Sequence, residues 1–272
     1  MKNDFVKLKN NLIIFDEPHP SQLSALRMLW KEAFGDSDDF LDIFFSTAYD
    51  AKRCRVATIN GNVVAALYWF NCQLNNESLA YIYAVATEKR YRGLGICHSL
   101  MESTHSHMMS LGYIGAILSP ADEALTNFYK NLGYRISSRM HEFSCKCSPI
   151  DARNNIVIRK IDKLEYATIR RKLLPPNSII QENENLDFLE AQAEFYAGDD
   201  FLLVANSDGD KLNGIELLGN KEVAPAILSV LGYKQGHFRT PGDDSLFAMY
   251  LPLSDKTFKR VENNLYLGFI FD

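Results

Sequence analysis

Between Val85 and His98 the sequence reads Val-Ala-Thr-Glu-Lys-Arg-Tyr-Arg-Gly-Leu-Gly-Ile-Cys-His. A strand ending, a loop with two glycines and three cations, and a helix start follow one another without a gap. The first turn of a helix leaves backbone N–H groups unpaired, and the helix dipole places positive potential there. Such a junction is a ready anion site, and glycines let a phosphate approach where a Cβ would stand in the way. It also dictates layering, because a strand feeding straight into a helix is the unit of an α/β sheet. Gly-Lys-Ser/Thr does not follow, so the loop is not a Walker-type P-loop. The third glycine of a dinucleotide fingerprint is replaced by His98.

The elements around this junction are legible. Leu23, Leu26, Leu29 and Trp30, then Phe40, Leu41, Phe44 and Phe45, recur at helical spacing on either side of Gly35. They predict two helices, the second capped by Ser37 with Asp38 and Asp39 in its first turn. Val56–Ile59 and Val63–Phe70 flank Asn60-Gly61-Asn62, a tight hairpin signal, and Asn75-Asn76 predicts a second turn before a strand over Leu79–Val85. The helix after the loop carries Ile96, Leu100, Met101, Thr104, Met108 and Leu111 inward and stops at Gly112. Tyr113–Leu118 has no alternation and reads as a strand buried on both faces. Ser119-Pro120 then predicts another helix start, with Ser119 as N-cap, Asp122 closing a capping-box-like pair, and Ala121, Leu125, Phe128, Tyr129 and Leu132 inward. The fold class is therefore α/β with a mixed sheet.

The polar stretch Cys147–Asn155, containing Pro149, predicts a boundary, giving domains 1–148 and 149–272. The second part echoes the first. A strand is expected over Ile156–Ile161, two helices follow, and Phe201–Ala205 and Lys211–Leu218 flank Asp208-Gly209. Leu231-Gly232-Tyr233 repeats Leu132-Gly133-Tyr134. A duplicate would lack the segment that holds the glycine-rich loop; chance similarity of two helix–hairpin patterns is the alternative.

Composition narrows the partners. Lys+Arg 29 against Asp+Glu 34 gives a net charge of −5, which argues against nucleic acid or an anionic membrane as partner. No run is apolar enough to span a bilayer, no apolar leader core follows Met1, and five cysteines lack a framework spacing, so a reducing cytoplasm is the expected location. No metal is expected: His105 and His107 fall on different helix faces, and Cys145-x-Cys147 has no second pair.

In this context the Val85–His98 segment resembles motif A of the GNAT-type N-acetyltransferases, Arg/Gln-x-x-Gly-x-Gly/Ala. Two frames fit: Arg90-Tyr91-Arg92-Gly93-Leu94-Gly95, and Arg92-Gly93-Leu94-Gly95-Ile96-Cys97. Asn127-Phe128-Tyr129-Lys130-Asn131-Leu132-Gly133-Tyr134 is similar to the family's closing Phe-Tyr-x-x-x-Gly-Phe/Tyr segment. The likeness covers about residues 12 to 145. Leu29-Trp30-Lys31-Glu32-Ala33-Phe34 and the weaker second half resemble larger bacterial members with a catalytic and a smaller degenerate GNAT domain in tandem.

The resemblance implies acetyl-CoA as co-substrate and direct acetyl transfer to an amine of a small molecule or peptide. It places the pyrophosphate on Arg90, Tyr91, Arg92, Gly93, Leu94, Gly95, Ile96, Cys97 and His98, adds Asn127 to the cofactor side, and lays pantetheine along Val85, Ala86 and Thr87. Tyr129 matches the general acid that protonates the departing thiolate; a half-buried core tyrosine is the plainer alternative. No base is identified: Glu77 and Tyr81 are weak candidates. The apolar tail Leu265–Asp272 is expected to dock, either as an edge strand or to bring the Asp272 carboxylate to an active site. Asp36, Asp38 and Asp39 could attract a cationic acceptor or simply cap helices. Cys97, at a helix start, is expected to have a lowered pKa. A non-catalytic acyl-CoA-binding or scaffold protein is the competing function, and a homodimer is left open.

Overall fold

The structure is a computed structural model that describes residues 5–8, 11–148, 156–254 and 264–271. It is a mixed α/β protein with seven α-helices among the described residues, and its contacts divide into two compact units.

The first unit holds the described residues of Met1–Arg135 together with those of Met249–Arg260. Its elements are β1 (Phe5–Leu8), β2 (Asn11–Asp16), α1 (Leu23–Phe34), α2 (Asp38–Thr47), β3 (Cys54–Ile59), β4 (Asn62–Leu74), β5 (Glu77–Thr87), α3 (Ile96–Ser110), β6 (Gly115–Leu118) and α4 (Glu123–Asn131). The strands β1 to β5 form an antiparallel run, and β5 pairs with β6 in parallel. Two turns set the register: Asn60-Gly61 and Asn75-Asn76 all have positive φ, the geometry a two-residue hairpin loop needs. The strand β4 is buried without interruption from Val64 to Phe70, so both its faces are covered. On one, Tyr68 packs on Trp30 of α1 and Phe44 of α2; on the other, Trp69 meets His107 of α3.

The helices α1 and α2 end and begin as expected, at Gly35 with φ +79° and at Ser37, whose hydroxyl accepts from Phe40 N at 3.2 Å. The strand β2 gave no clear sequence signal, because Leu12 and Ile14 are exposed apolar residues that mask the alternation of buried Ile13 and Phe15. Three expectations are corrected. The α4 helix starts at Glu123, capped by Asp122, whose side chain accepts from Leu125 N at 2.7 Å, so Ser119 is not the cap. With that start Thr126 and Tyr129 face inward, whereas Leu125 is exposed. Leu111 also lies beyond the end of α3 and is exposed.

The second unit holds the described residues of Ile136–Ala248 and Val261–Asp272. It comprises most of β7 (Arg135–Lys146), β8 (Arg159–Ile161), α5 (Lys163–Leu173), α6 (Glu184–Glu190), β9 (Glu194–Ala197), β10 (Phe201–Asp208), β11 (Lys211–Gly219), α7 (Ala224–Leu231), β12 (Gln235–Pro241) and the first half of β13 (Ser245–Pro252). The units exchange strands along the chain. The end of β13 pairs in the first unit with β6, from Met249↔Leu118 to Pro252↔Gly115, while β7 pairs in the second with β12.

Strand β8 is shorter than the expected Ile156–Ile161. The β10–β11 turn is one residue later than expected, at Gly209-Asp210, because Asp208 pairs with Lys211. The tail is docked, with Leu265, Tyr266, Leu267 and Phe269 all buried. Among the described residues it forms isolated bridges, Ser138↔Leu265 and Ser178↔Tyr266, rather than an edge strand. Gly268 at φ +87° interrupts the extended backbone, and only glycine fits there, because a Cβ would collide with Arg170, Glu216 and Gln181. Asp272 and residues 149–155 of the expected boundary lie outside the described residues.

Candidate active site

The site begins with a defect in β5. Tyr68 pairs with Tyr83 and Ala66 with Ala86, so Ala84 and Val85 together oppose the single residue Leu67. This is a β-bulge, and it puts Ala84 at φ +49°, a left-handed conformation that costs a non-glycine residue on the order of 1–2 kcal/mol. No residue type in the sequence signals it. On its other side β5 pairs with β6 only as far as Tyr81↔Ile117. The two parallel strands thus part company, and Ile82–Thr87 run on past the last shared rung.

Beyond Thr87 the chain makes a short 3-10 turn over Lys89–Tyr91, with Lys89 N donating to Glu32 Oε1 at 2.7 Å. Arg90 pairs with Glu88, and its guanidinium lies over the Tyr91 ring at 5.1 Å. Arg92 folds back so that Nε donates to the Thr87 carbonyl at 2.9 Å. Gly93 and Gly95 have φ of +73° and +80°, and Cβ atoms on them would meet nothing within 4 Å. Here glycine is required by backbone angle, and the space before the loop is open. Gly95 is the N-cap of α3 and has no side-chain cap, so the first-turn N–H groups beginning at Ile96 have no side-chain partner. Leu94 is exposed, Ile96 is buried and anchors the helix, and the His98 ring lies 3.6 Å from the Glu102 carboxylate. The expected cradle therefore presents backbone donors to open space, which fits a diphosphate.

Cys97 and Tyr129 come together. Burial pushes the Cys97 thiol up to about 11, with the Thr87 hydroxyl beside it pulling the other way. The expected lowering at a helix start is thus corrected: desolvation outweighs the dipole. Burial also raises Tyr129 well above the ordinary phenol range, and the neighbouring Cys97 adds to the shift. Thr87 Oγ1 is buried without a hydrogen bond of good geometry, a polar atom left over at the strand end. Val85 is half-buried and Ala86 buried, as is Tyr129, whose ring edges on Tyr134 at 5.7 Å; Asn127, two residues before Tyr129 on α4, is exposed.

Of the other candidates, Asp36, Asp38 and His105 have structural partners, whereas Asp39 and Glu77 are exposed and show none among the described residues. Asp36 accepts from Trp30 Nε1 at 2.7 Å, and Asp38 pairs with Lys31 at 2.8 Å. Tyr81 is buried and Glu77 sits at the exposed start of β5. His105 is buried against Tyr134 Oη at 2.8 Å. Among the described residues no three His, Cys, Asp or Glu converge as metal ligands.

Residues 15–137 match the family described as the Acetyltransferase (GNAT) domain. Solved structures share the fold. A GCN5-related N-acetyltransferase from Kribbella flavida aligns at TM-score 0.69 and 17% identity, over 88% of this chain and 71% of that one. One from Anabaena variabilis aligns at 0.71 and 12%, over 89% and 73%. A candidate acetyltransferase from Pyrococcus horikoshii aligns at 0.63 and 13%, over 100% and 97%. No curated protein matches the sequence.

Proposed function

From the match of residues 15–137 to the Acetyltransferase (GNAT) domain family, we propose an N-acyltransferase that moves an acetyl group from acetyl-CoA directly to a primary amine. One observation carries the reading: buried Tyr129 stands beside Cys97, itself next to Thr87, where a parting strand pair meets an uncapped helix start.

In this reading the α3 amides from Ile96 onward and the turn of Gly93–Gly95 hold the diphosphate, with Arg90 and Arg92 supplying positive charge. Acetyl-CoA supplies the activated acyl carbon. The open side of β5 past Tyr81 receives the pantetheine arm, and bulge residues Ala84 and Val85 present backbone groups to the carbonyl. A preorganised N–H aimed at a developing oxyanion is worth on the order of 10² in rate or more. The uncharged amine forms the carbon–nitrogen bond as the carbon–sulfur bond breaks. Tyr129 gives its proton to the departing sulfur, and the proton shed by the amine returns through water to Tyr129. Burial keeps Tyr129 protonated between turnovers and makes it a weaker acid. It therefore acts through a hydrogen bond to the sulfur and shares its proton only as the carbon–sulfur bond breaks.

The second unit reads as a degenerate copy. Its β10–β11 ladder also carries a bulge, between Val204↔Glu216 and Ala205↔Gly214, and β11 also leaves its parallel neighbour there, at Gly214↔Phe238. Where the first unit has an open strand end, the second has Glu216 fully buried against Arg170, Tyr166 and Tyr266. No helix among the described residues is long and apolar enough to cross a membrane, and the cytoplasm, where acetyl-CoA is made available, is the proposed site of action.

The test is acetyl-CoA turnover with a panel of primary amines. Tyr129→Phe should lower kcat roughly 10²-fold and leave acetyl-CoA affinity unchanged. Gly95→Val should abolish that affinity. Tight acetyl-CoA binding with no transfer to any amine, and no effect of Tyr129→Phe, would mean a carrier rather than an enzyme.

A further inference from the structure

The face of the β4–β5 hairpin bearing Tyr68 is covered by aromatic rings, and that cover reaches the bulge. Tyr68 and Tyr83 are cross-strand partners, and Tyr83 directly precedes Ala84. Trp30 lies 5.1 Å from Tyr68 and 5.7 Å from Tyr83 between ring centroids. Phe45 and Tyr49 are 4.9 Å apart, and Tyr49 is 6.2 Å from Tyr68. Trp30 and Tyr68 are buried, whereas Phe45, Tyr49 and Tyr83 are half-exposed, so the nest has a wet rim.

Three features say what this rim receives. Tyr68 Oη is buried and has no hydrogen-bond partner among the described residues. An unpaired buried hydroxyl weakens a fold, and its persistence marks a place where an incoming group completes the bond. The ring faces attract cations, since the Arg27 guanidinium already sits 5.4 Å above Phe45. Most nearby carboxylates are engaged, Asp36 by Trp30, Asp38 by Lys31, Asp42 by Arg27 and Asp50 by Arg53, and Asp39 alone of this group has no such partner among the described residues. A ligand with several positive charges would find only Asp39 unengaged, and one amine on a flat apolar body would find rings.

Resting on the transfer reading above, we infer that the acceptor is an arylalkyl-type primary amine, its flat body among Phe45, Tyr49 and Tyr83 and its nitrogen hydrogen-bonded by Tyr68 Oη beside the bulge. Tyr68 is then the specificity-determining residue, holding the amine one residue from Ala84. Burial keeps its phenol protonated, so it can both donate and accept.

The experiment titrates the full chain with 2-phenylethylamine and with spermidine, following ligand resonances by saturation-transfer NMR, without and with acetyl-CoA. 2-Phenylethylamine should bind at least tenfold tighter than spermidine. Tyr68→Phe should weaken it roughly three- to tenfold, the effect of one hydrogen bond. The same variant should melt no lower than the parent, because it removes an unsatisfied group; a purely structural tyrosine would show lost stability and unchanged amine affinity. Tighter spermidine binding, or equal amine affinity in Tyr68→Phe, overturns the inference. Amine binding as expected in a chain that ignores acetyl-CoA would uphold the nest and overturn the transfer reading.

Discussion

Cys97 shows how burial decides the chemistry of a single residue here. Its place at a helix start argues for an acidic thiol, but its surroundings raise it to about 11. At pH 8 about one part in a thousand of such a thiol is ionised, against roughly a quarter of an ordinary one titrating near 8.5. Iodoacetamide at pH 8 should therefore label exposed Cys147 first and Cys97 on the order of a hundredfold more slowly, as peptide mass spectrometry would resolve. Equal rates would mean that the dipole prevails and that Cys97 lies closer to water than its neighbours Tyr129 and Thr87 imply. The sequence could place Cys97 and Tyr129 on their helices. It could not bring them together, because that depends on how α3 and α4 are carried past the end of β5.

At the scale of elements, what was legible was whatever is decided locally. Asn60-Gly61 and Asn75-Asn76 specify their turns through their own φ angles, and Ser37 caps α2 with its own hydroxyl. The start of α4 was misread because Ser119 and Asp122 are both good caps at suitable distances from the apolar stripe; packing of Tyr129 and Thr126 selects Asp122. Asp122→Ala should accordingly cost about 1 kcal/mol in urea unfolding, and Ser119→Ala should leave the start of α4 unmoved, as amide exchange of its first turn would report. If Ser119→Ala frays that turn as much as Asp122→Ala, the cap assignment is wrong. The bulge at Ala84 is invisible for the opposite reason: alanine has no preference for a positive φ, and only the register of β5 against β4 imposes it.

For the whole molecule, strand exchange is the feature no local pattern records. The polar stretch after Cys147 marks a change of composition, but β6, buried at every position, finds its antiparallel neighbour in Met249–Pro252. Tyr250 also lies so close over Gly115 that a Cβ there would meet its ring at 2.4 Å. A fragment of residues 1–148 should therefore lack a cooperative urea transition that the full chain shows; a cooperative one would mean that β6 needs no such partner. Both units share a further liability. Burial holds the pKa of Tyr68, Tyr129 and Tyr134 in the first, and of Tyr166 and Tyr266 in the second, above the phenol value. In the unfolded chain these groups lose their protons near pH 10, whereas the folded chain keeps them. Their contribution to stability is thus complete below pH 10 and is lost as pH rises, by up to roughly 1.4 kcal/mol per pH unit for each tyrosine. The urea midpoint should be level between pH 7 and 9 as far as these groups are concerned, then fall steeply between pH 10 and 11. A midpoint unchanged at pH 11 would mean that the five phenols ionise in place, and that water reaches hydroxyls which the packing encloses.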